Sequence, residues 1–145
     1  MNQAAIELEL PIRWADMDAL GHVNNTVYFT FCESARIAYF GAVELASFSE
    51  KETDGPGLVA ANLNFRRQMK YPGTIRVRAK ASRIGKKSFN LDYEIRDVAD
   101  GEVVADGSSV CVWVDYAESK AKLLPQALVK AIQLIEQNPN LGCEN

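Results

Sequence analysis

The segment from Thr26 to Phe40 is apolar around most of its circumference when it is drawn as a helix. Its few polar residues fall on one limited stripe: Thr26, Thr30, Glu33, Ser34 and Arg36. Asn24 and Asn25 are both good N-cap residues, and Gly41 is a stop signal after the helix. A helix so widely apolar must be enclosed on most sides, because a helix that lies on one surface needs a broad polar face.

Strict alternation of apolar and polar residues predicts strands before and after this helix. It is clearest at 6–14, 75–82 and 89–96, which have the period of two that a sheet with one buried face requires. Two further strands are expected near 58–69 and 102–114. The predicted order is one N-terminal strand, the long helix and then four strands in a meander.

Turn-forming residues separate the predicted strands. Residues 71–73, Tyr-Pro-Gly, fit a type II turn, Gly85 fits a turn or bulge, and Asp-Gly at 100–101 is a hairpin signal. Pro11 cannot donate a backbone hydrogen bond, so it favours an edge or bulged position in the first strand.

One strongly twisted antiparallel sheet wrapped around the long helix would enclose it. A second helix, from Pro125 to about Gln137, has apolar residues on one face and is expected to cover the periphery. We therefore predict an α+β fold with a five-stranded antiparallel sheet around a long central helix and a C-terminal helix. No linker or repeat interrupts the pattern, so 1–145 is expected to be a single domain.

Composition and charge exclude several classes of function. No stretch approaches the roughly 20 apolar residues that cross a bilayer, and the N-terminal MNQAAIELEL lacks the basic and apolar regions of a signal peptide. Cys32, Cys111 and Cys143 have unrelated spacings, which is typical of free thiols. These features predict a cytoplasmic chain with no membrane partner. The net charge of −3 argues against a nucleic-acid partner.

The charge is unevenly distributed, because no acidic residue occurs between Gly55 and Leu91. That interval contains these basic residues: Arg66, Arg67, Lys70, Arg76, Arg78, Lys80, Arg83, Lys86 and Lys87. Such a block suggests a site for an anionic partner, such as a phosphate-bearing ligand. A solvated strand face whose charges discourage aggregation is the alternative.

Two aspartates, Asp16 and Asp18, precede the helix in a loop that contains Gly21. The first helix amides, around Asn25, lack intrahelical acceptors and carry partial positive charge. A carbonyl oxygen that gains negative charge would be stabilised there, and an upstream carboxylate could attack the carbonyl or activate a water. The arrangement suits acyl transfer to water, although Asp and Asn before a helix are also ordinary capping residues. Asp16 fits such a structural role, as partner to a cap or to Arg13.

Other kinds of site are disfavoured. His22 is the only histidine, and no Cys/His cluster of metal-ligand spacing occurs, so no metal site is predicted. A serine triad would need that histidine, and no GxSxG motif is present. His22 could equally satisfy backbone groups of the loop.

The run DMDALGHVNNTVY at 16–28, followed by Glu33, resembles the signature of hotdog-fold acyl-CoA thioesterases of the 4-hydroxybenzoyl-CoA thioesterase superfamily. The order of one strand, a helix and four strands is also that of the family, so the resemblance covers most of the chain. RIGKKSF at 83–89 looks like the family's turn between the third and fourth strands, although this motif is less specific.

The resemblance implies hydrolysis of an acyl-CoA thioester to the free acid and CoA. Asp18 matches the family's catalytic carboxylate, as nucleophile or general base, and the backbone amide at about Asn25 would polarise the thioester carbonyl. His22, Asn24 and Tyr28 would orient the water, the aspartate or the pocket wall. No cofactor is implied, because CoA is part of the substrate.

The resemblance also implies an active site at a dimer interface, in a homodimer or a homotetramer. CoA would stay largely outside, with its phosphates near Arg83, Lys86, Lys87 and Ser88. The His-Val-Asn-Asn run is absent from the aromatic-acyl namesake of the superfamily, which favours an aliphatic acyl group over hydroxybenzoyl.

Other branches of the hotdog fold place the carboxylate on the helix, which makes Glu33 a reserve candidate. A salt bridge with Arg36 or a supporting role in substrate binding is favoured for it instead. Two alternatives stay open: a thioesterase that acts on acyl-carrier protein, and a non-catalytic module that binds acyl-CoA. A hotdog dehydratase is less favoured, since that chemistry normally uses a histidine with a carboxylate in a different arrangement.

Overall fold

The computed structural model describes residues 1 and 4–143, and one antiparallel sheet that curls around a long helix dominates it. The strands are β1 (Ile6–Ile12), β2 (Asp54–Phe65), β3 (Gly73–Ile84), β4 (Ser88–Asp97), β5 (Val103–Asp115) and the short β6 (Lys120–Ala121). The helices are α1 (Asn25–Ala42) and α2 (Gln126–Ile135), with short 3-10 turns at Trp14–Asp16 and Leu45–Phe48. The predicted α+β class, the five long strands and both helices are confirmed.

The strand order is β1-β3-β4-β5-β2, and β6 pairs with β5. β2 lies beside β5, from Asp54 opposite Asp115 to Phe65 opposite Ala105. The predicted meander of four strands is therefore wrong for β2, because only β3, β4 and β5 are neighbours in sequence order. Alternation within a strand reports which face is buried, and it does not report which strand lies beside it.

The segment 66–72 carries the chain from the edge strand β2 to β3, which lies near the opposite edge of the sheet. It leaves β2 while the amides of Arg66 and Arg67 still donate to the Val104 carbonyl, at 2.8 and 3.2 Å. It then passes the start of α1, where the Val23 amide donates to the Met69 carbonyl at 2.9 Å. This crossing places 65–68 beside the N-terminus of α1.

Most of the predicted turns are confirmed. Gly101 has a φ of +75° in the β4–β5 hairpin, Gly85 lies in the β3–β4 turn, and Pro11 lies on the edge strand β1. The predicted type II turn at 71–73 is wrong, because that turn requires a positive φ at its glycine. Gly73 does not have one and instead opens β3.

α1 begins as predicted, at Asn25, with Asn24 as its N-cap. The Thr26 amide donates to Asn24 Oδ1 at 2.9 Å. The helix extends slightly further than predicted, so Gly41 lies in its last turn rather than after it. Glu44, with a φ of 52°, takes the left-handed conformation that follows the helix.

The inner face of α1 packs on the sheet, and its outer face is partly bare. The buried residues of the helix are Tyr28, Phe31, Cys32, Ala35, Arg36 and Tyr39. Phe29 and Ile37 are exposed in the single chain. The expected enclosure on most sides is therefore met only in part, because the sheet covers one side of the helix.

α2 lies at the periphery, as predicted, and its fully buried Leu128 and Ile132 belong to the hydrophobic core. Just after α2, Glu136 accepts hydrogen bonds from the Ala81 amide at 2.7 Å and from the Tyr39 hydroxyl at 3.2 Å. These bonds link the end of α2 to β3 and α1. Among the described residues, no helix is both long and apolar enough to cross a bilayer.

Candidate active site

Asp16 is a structural residue of the loop before α1. It is 3% exposed, and its carboxylate accepts hydrogen bonds from the Arg13 amide at 2.7 Å and the Arg13 guanidinium at 2.9 and 3.1 Å. Its carbonyl accepts the Asn24 amide at 2.9 Å. Both carboxylate oxygens are thus occupied, which confirms the structural role predicted for this aspartate.

Asp18 lies in the same loop with one carboxylate oxygen largely free. Its Oδ1 accepts the Leu20 amide at 2.9 Å. Its amide donates to the His22 carbonyl at 2.9 Å, and its carbonyl accepts the Gly21 amide at 3.0 Å. Gly21 has a φ of +79°, which the tight turn requires. Within the described residues the hydrogen-bond contact of Oδ2 is Asn24 Nδ2 at 3.5 Å, so this oxygen is available to a substrate.

The amide of Asn25 is an open donor at the N-terminus of α1. Asn24 Oδ1 accepts the Thr26 amide at 2.9 Å, and the Asn24 carbonyl accepts the Val27 amide at 3.0 Å. The Asn25 amide, in contrast, donates to no group in the part of the chain that the structure describes. The aligned peptide dipoles of α1 add partial positive charge there. This amide therefore has the properties of a donor that stabilises an oxyanion.

Tyr28 and His22 contribute to the wall beside these groups. The buried Tyr28 ring packs edge-to-face on Phe31 and Phe65, with centroid distances of 6.2 and 5.4 Å. Burial raises the pKa of the Tyr28 hydroxyl, so it stays protonated. His22 is half-buried, and it lines the same cleft as Tyr28.

A cleft of about 490 Å³ brings the polar cluster together. From the predicted motif it contains Asp18, His22, Asn24, Asn25 and Tyr28. From the end of β2 it adds Phe65, Arg66, Arg67 and Gln68, none of which was expected beside Asp18. No motif marks these residues, and they reach the cleft because the segment 66–72 crosses the start of α1. In the sequence, the indication of such a role was that Arg66 and Arg67 begin the basic, acid-free interval.

The arginines of this second group are neutralised by ion pairs. Arg66 pairs with Asp106 at 3.1 Å, and Arg67 pairs with Asp97 and Asp100, each at 2.6 Å. The hydrogen bond to Asp100 raises the pKa of Arg67. Two further arginines of the interval pair with glutamates of β1 and β4, namely Arg76 and Arg78. For these four arginines the structure favours the solvated, paired surface over a site for an anion.

The turn expected to meet the CoA phosphates lies in a different cleft. Arg83 and Lys86 line a cleft of about 1150 Å³ that includes residues of α2. Lys87 ends the turn, and Ser88 is the first residue of β4. The three cations are exposed. Within one chain, this cleft shares no lining residue with the cleft that contains Asp18.

Glu33 and Arg36 do not form the salt bridge predicted from their spacing. Glu33 is exposed, whereas Arg36 is 9% exposed and its Nη1 donates to the Tyr93 hydroxyl at 3.2 Å. The prediction is wrong because Arg36 lies on the inner face of α1 and extends toward the sheet. Both side chains line a small cavity between α1 and β2.

The described residues contain no group of three or more His, Cys, Asp or Glu that could hold a metal ion. Cys32 and Cys111 are buried free thiols, and Cys143 is an exposed one. Burial raises the pKa of Cys32 to about 12, so this thiol is a poor nucleophile.

Known sequences match this chain over a range that includes every residue of the candidate active site. The family described as the thioesterase-like superfamily matches residues 12–132. The long-chain acyl-CoA thioesterase FadM of Escherichia coli (strain K12) is 26% identical over 130 residues, which cover 88% of this chain and 97% of FadM.

Solved structures share the fold over nearly the full chain. The PA2801 protein from Pseudomonas aeruginosa is 31% identical with a TM-score of 0.80, covering 90% of this chain and 99% of that one. A thioesterase from Thermus thermophilus, complexed with coenzyme A and Zn, is 25% identical with a TM-score of 0.83. That match covers 96% of this chain and 99% of the Thermus chain.

Proposed function

This chain belongs to the thioesterase-like superfamily and is a thioester hydrolase, and from that premise we propose that it hydrolyses an acyl-CoA to the free acid and CoA. The observation that carries the proposal is the presence of the Asp18 carboxylate and the open Asn25 amide in one cleft. The relative FadM is named for long-chain acyl-CoA, which supports the same class of substrate. An aliphatic acyl group suits the apolar side of the cleft, at Tyr28 and Phe65.

The thioester carbonyl oxygen would accept the hydrogen bond of the Asn25 amide. Negative charge that develops on this oxygen then meets the positive end of α1. As a general base, Asp18 Oδ2 removes a proton from a water whose oxygen bonds to the carbonyl carbon. The C–S bond breaks, and the CoA thiolate takes up the proton from Asp18. As a nucleophile, Asp18 instead forms an anhydride with the acyl group, which water hydrolyses after CoA has left.

Three neighbours would position these groups. The Nδ2 of Asn24 faces the Asp18 carboxylate at 3.5 Å and limits its rotation. His22 holds the loop through its carbonyl and presents its side chain to the cleft, where it can orient a water. Tyr28 forms the apolar wall and adds a neutral hydroxyl donor.

A second copy of the chain would complete the site. β2 is an edge strand, and its residues Leu58 and Val59 are 50% and 62% exposed. Leu58 and the exposed Phe29 line one cavity, and the Phe29 ring lies 6.4 Å from that of the exposed Phe65, which lines the cleft. They form an apolar surface beside the cleft, and such surfaces mark protein interfaces. The proposed assembly is a homodimer, or a homotetramer of two such dimers, with the active site at the subunit interface.

The turn at 83–88 of the second copy would then meet the CoA phosphates. In a single chain Arg83 and Lys86 line a separate cleft, and they are exposed there together with Lys87. Cations and a hydroxyl such as that of Ser88 are suitable phosphate ligands. Neither a metal nor a redox cofactor is part of this proposal, and its proposed location is the cytoplasm.

Release of free thiol from a panel of acyl-CoAs, short to long and including aryl-acyl forms, tests this function. We expect turnover of aliphatic acyl-CoAs that is faster than turnover of the same acyl group on acyl-carrier protein. The reverse preference would favour the alternative in which the basic turn docks an acidic carrier protein. Tight binding of acyl-CoA without any thiol release would contradict the proposal and identify a non-catalytic binding module.

A further inference from the structure

Arg36 is a buried cation without a carboxylate partner among the described residues. It is 9% exposed and lies on the inner face of α1. Its Nη1 donates to the Tyr93 hydroxyl at 3.2 Å, and that hydroxyl lies 2.6 Å from Ser109 Oγ. Nε and Nη2 donate to no group in the described part of the chain. Neither atom is among the fully buried unpaired atoms of the described residues, so both still meet solvent. A ligand that displaces this solvent without offering an acceptor would leave an unpaired guanidinium, which is costly.

The side chains around Arg36 do not neutralise it. Burial raises the pKa of Cys32 to about 12 and also raises the pKa of Cys111, so both thiols stay neutral near neutral pH. Burial likewise raises the pKa of Tyr93. Glu33, one turn away on α1, is exposed and is not within ion-pair distance of Arg36.

Arg36 lines a cavity of about 180 Å³ between α1 and β2, here named the Arg36 cavity. Its polar lining also includes Glu33, Asn62, Tyr93 and Ser108, and its apolar lining includes Phe29, Leu58 and Leu63. A cavity of this size is too small for CoA, but it can hold the end of an acyl chain. The Nε and Nη2 groups of Arg36 provide hydrogen-bond donors on one side of it.

The Arg36 cavity lies along α1 from the candidate active site. The rings of Phe29, at the cavity, and of Phe65, at the active-site cleft, are 6.4 Å apart. From Asn25 to Arg36 the helix axis covers about 16 Å at ~1.5 Å per residue, and helical side chains tilt back toward the N-terminus. An extended chain advances about 1.2 Å per bond, so about 16 Å corresponds to roughly 13 bonds. The long Arg36 side chain shortens this path, so a chain of roughly ten to 13 carbons reaches the guanidinium from the open amide.

We infer that the Arg36 cavity receives the far end of the acyl chain and that Arg36 selects chains whose far end carries a hydrogen-bond-accepting oxygen, as a hydroxyl or a carboxylate. The inference rests on the proposed function, because it names the substrate class of the same site. The oxygen accepts hydrogen bonds from Nε or Nη2 of Arg36. A plain hydrocarbon end leaves the guanidinium both dehydrated and unpaired, which disfavours unsubstituted chains.

A carboxylate from a second copy of the chain is the competing occupant. The exposed Leu58 of edge strand β2 lines the Arg36 cavity, so an adjoining subunit could reach it. In that case Arg36 would support assembly and would not select the substrate.

The test compares three acyl-CoAs of equal chain length: decanoyl-CoA, ω-hydroxydecanoyl-CoA and ω-carboxynonanoyl-CoA. For the wild-type protein, kcat/KM for at least one oxygenated substrate should exceed that for decanoyl-CoA by about tenfold to a hundredfold, the effect of one hydrogen bond to a charged group. Arg36→Gln and Arg36→Met should bring this ratio to about one.

A wild-type ratio near one, or an unchanged ratio in both Arg36 variants, would overturn the inference. Dissociation of a wild-type dimer by Arg36→Gln, with equal loss of activity on all three substrates, would also overturn it and would identify the second copy as the occupant. Circular dichroism checks that the variants fold, and if neither does, the wild-type ratio alone decides.

Binding of S-alkyl pantetheine thioethers separates this inference from the proposed function. These compounds contain the part common to CoA and acyl-carrier protein, and they cannot be hydrolysed. If no acyl-CoA is hydrolysed, the proposed function fails. The inference would still stand if calorimetry showed tighter binding of the ω-hydroxydecyl thioether than of the decyl thioether, lost in Arg36→Gln. Equal affinities of the wild-type protein for the two thioethers would overturn it.

Discussion

The Nδ2 of Asn24 lies 3.5 Å from Oδ2 of Asp18, while Oδ1 of the same Asn24 side chain accepts the Thr26 amide at 2.9 Å. One side chain therefore caps α1 and also faces the candidate catalytic carboxylate. Because the cap occupies Oδ1, the donor end of the amide must point toward Asp18. Asn24 thus contacts both the candidate catalytic carboxylate and the first turn of α1, where the open Asn25 amide lies.

Asn24→Asp should separate the two roles of that side chain. Aspartate is also a good N-cap, so the free energy of unfolding should change by less than about 1 kcal/mol. Its second carboxylate oxygen would face Asp18 and repel it, so we expect kcat to fall by about tenfold or more. Denaturant unfolding and thiol-release kinetics measure the two effects. An unchanged kcat would show that the Asn24 amide does not assist Asp18.

Gly21→Ala should destabilise the loop that holds Asp18. Gly21 has a φ of +79°, and a Cβ added there meets no atom within 4 Å, so the substitution tests backbone conformation alone. We expect a loss of roughly 1 kcal/mol in the free energy of unfolding and a lower kcat as the loop shifts.

Gly41→Ala is the matched control for Gly21→Ala. A Cβ at Gly41 also meets no atom within 4 Å, but this glycine lies within α1, where alanine is favoured. The control should be neutral or stabilising by up to about 1 kcal/mol, with kcat unchanged. Equal changes in the free energy of unfolding and in kcat for the two substitutions would show that neither property depends on the left-handed turn at Gly21.

Glu136 should make the stability of the fold depend on pH. Burial raises its pKa above the usual 4.5, so the folded state favours the protonated form. Its stabilising contribution is fully present below about pH 4.5, and it is lost as the pH rises through the higher pKa of the folded state. Glu136→Gln should remove this loss and be more stable than wild type at neutral pH, because an amide oxygen can still accept both hydrogen bonds.

Urea unfolding between about pH 4 and pH 8 measures this prediction as the difference between the wild-type and Glu136→Gln curves. Glu52→Gln, which removes an exposed carboxylate from a loop, is the control and should follow the wild-type curve. Parallel curves for wild type and Glu136→Gln would contradict the prediction.

Val59→Lys should disrupt the proposed dimer without unfolding the chain. Val59 is 62% exposed on the edge strand β2, so a lysine is tolerated in one copy but would be desolvated at an interface. We expect monomers by sedimentation and a loss of activity of about tenfold or more. Leu134→Lys, at an 80% exposed position of α2, is the control and should change neither property. Retention of both the oligomeric state and the activity by Val59→Lys would exclude β2 from the interface.

The features predicted correctly from the sequence are the local ones. The alternation in β3 and β4 and the apolar run of α1 each depend on neighbours along the chain, and their periods are visible without a partner. The loop 16–24 is equally local, since a turn at Gly21 and a cap at Asn24 act within a few residues. The structural role predicted for Asp16 also depends on neighbours within a few residues, such as Arg13.

The features that were missed depend on contacts between distant segments. The place of β2 beside β5 follows from pairing between residues far apart in sequence, such as Asp54 with Asp115 and Phe65 with Ala105. The addition of 65–68 to the cleft depends on that same pairing and on the crossing to β3. Arg36 was expected to pair with Glu33 on its own helix, because its actual partner, Tyr93, lies on β4.

The kcat of thiol release by Asp18→Asn tests the central claim most directly. Asparagine keeps the shape of the side chain and an oxygen that can accept the Leu20 amide, but it can neither take up a proton as a base nor attack the thioester. We predict a fall in kcat of about 10²–10⁴-fold, with a free energy of unfolding close to that of wild type. Asp92→Asn, at a carboxylate of β4 that accepts the Ser82 hydroxyl at 2.8 Å, is the control and should keep the wild-type kcat. A kcat for Asp18→Asn within about twofold of wild type would contradict the assignment of Asp18.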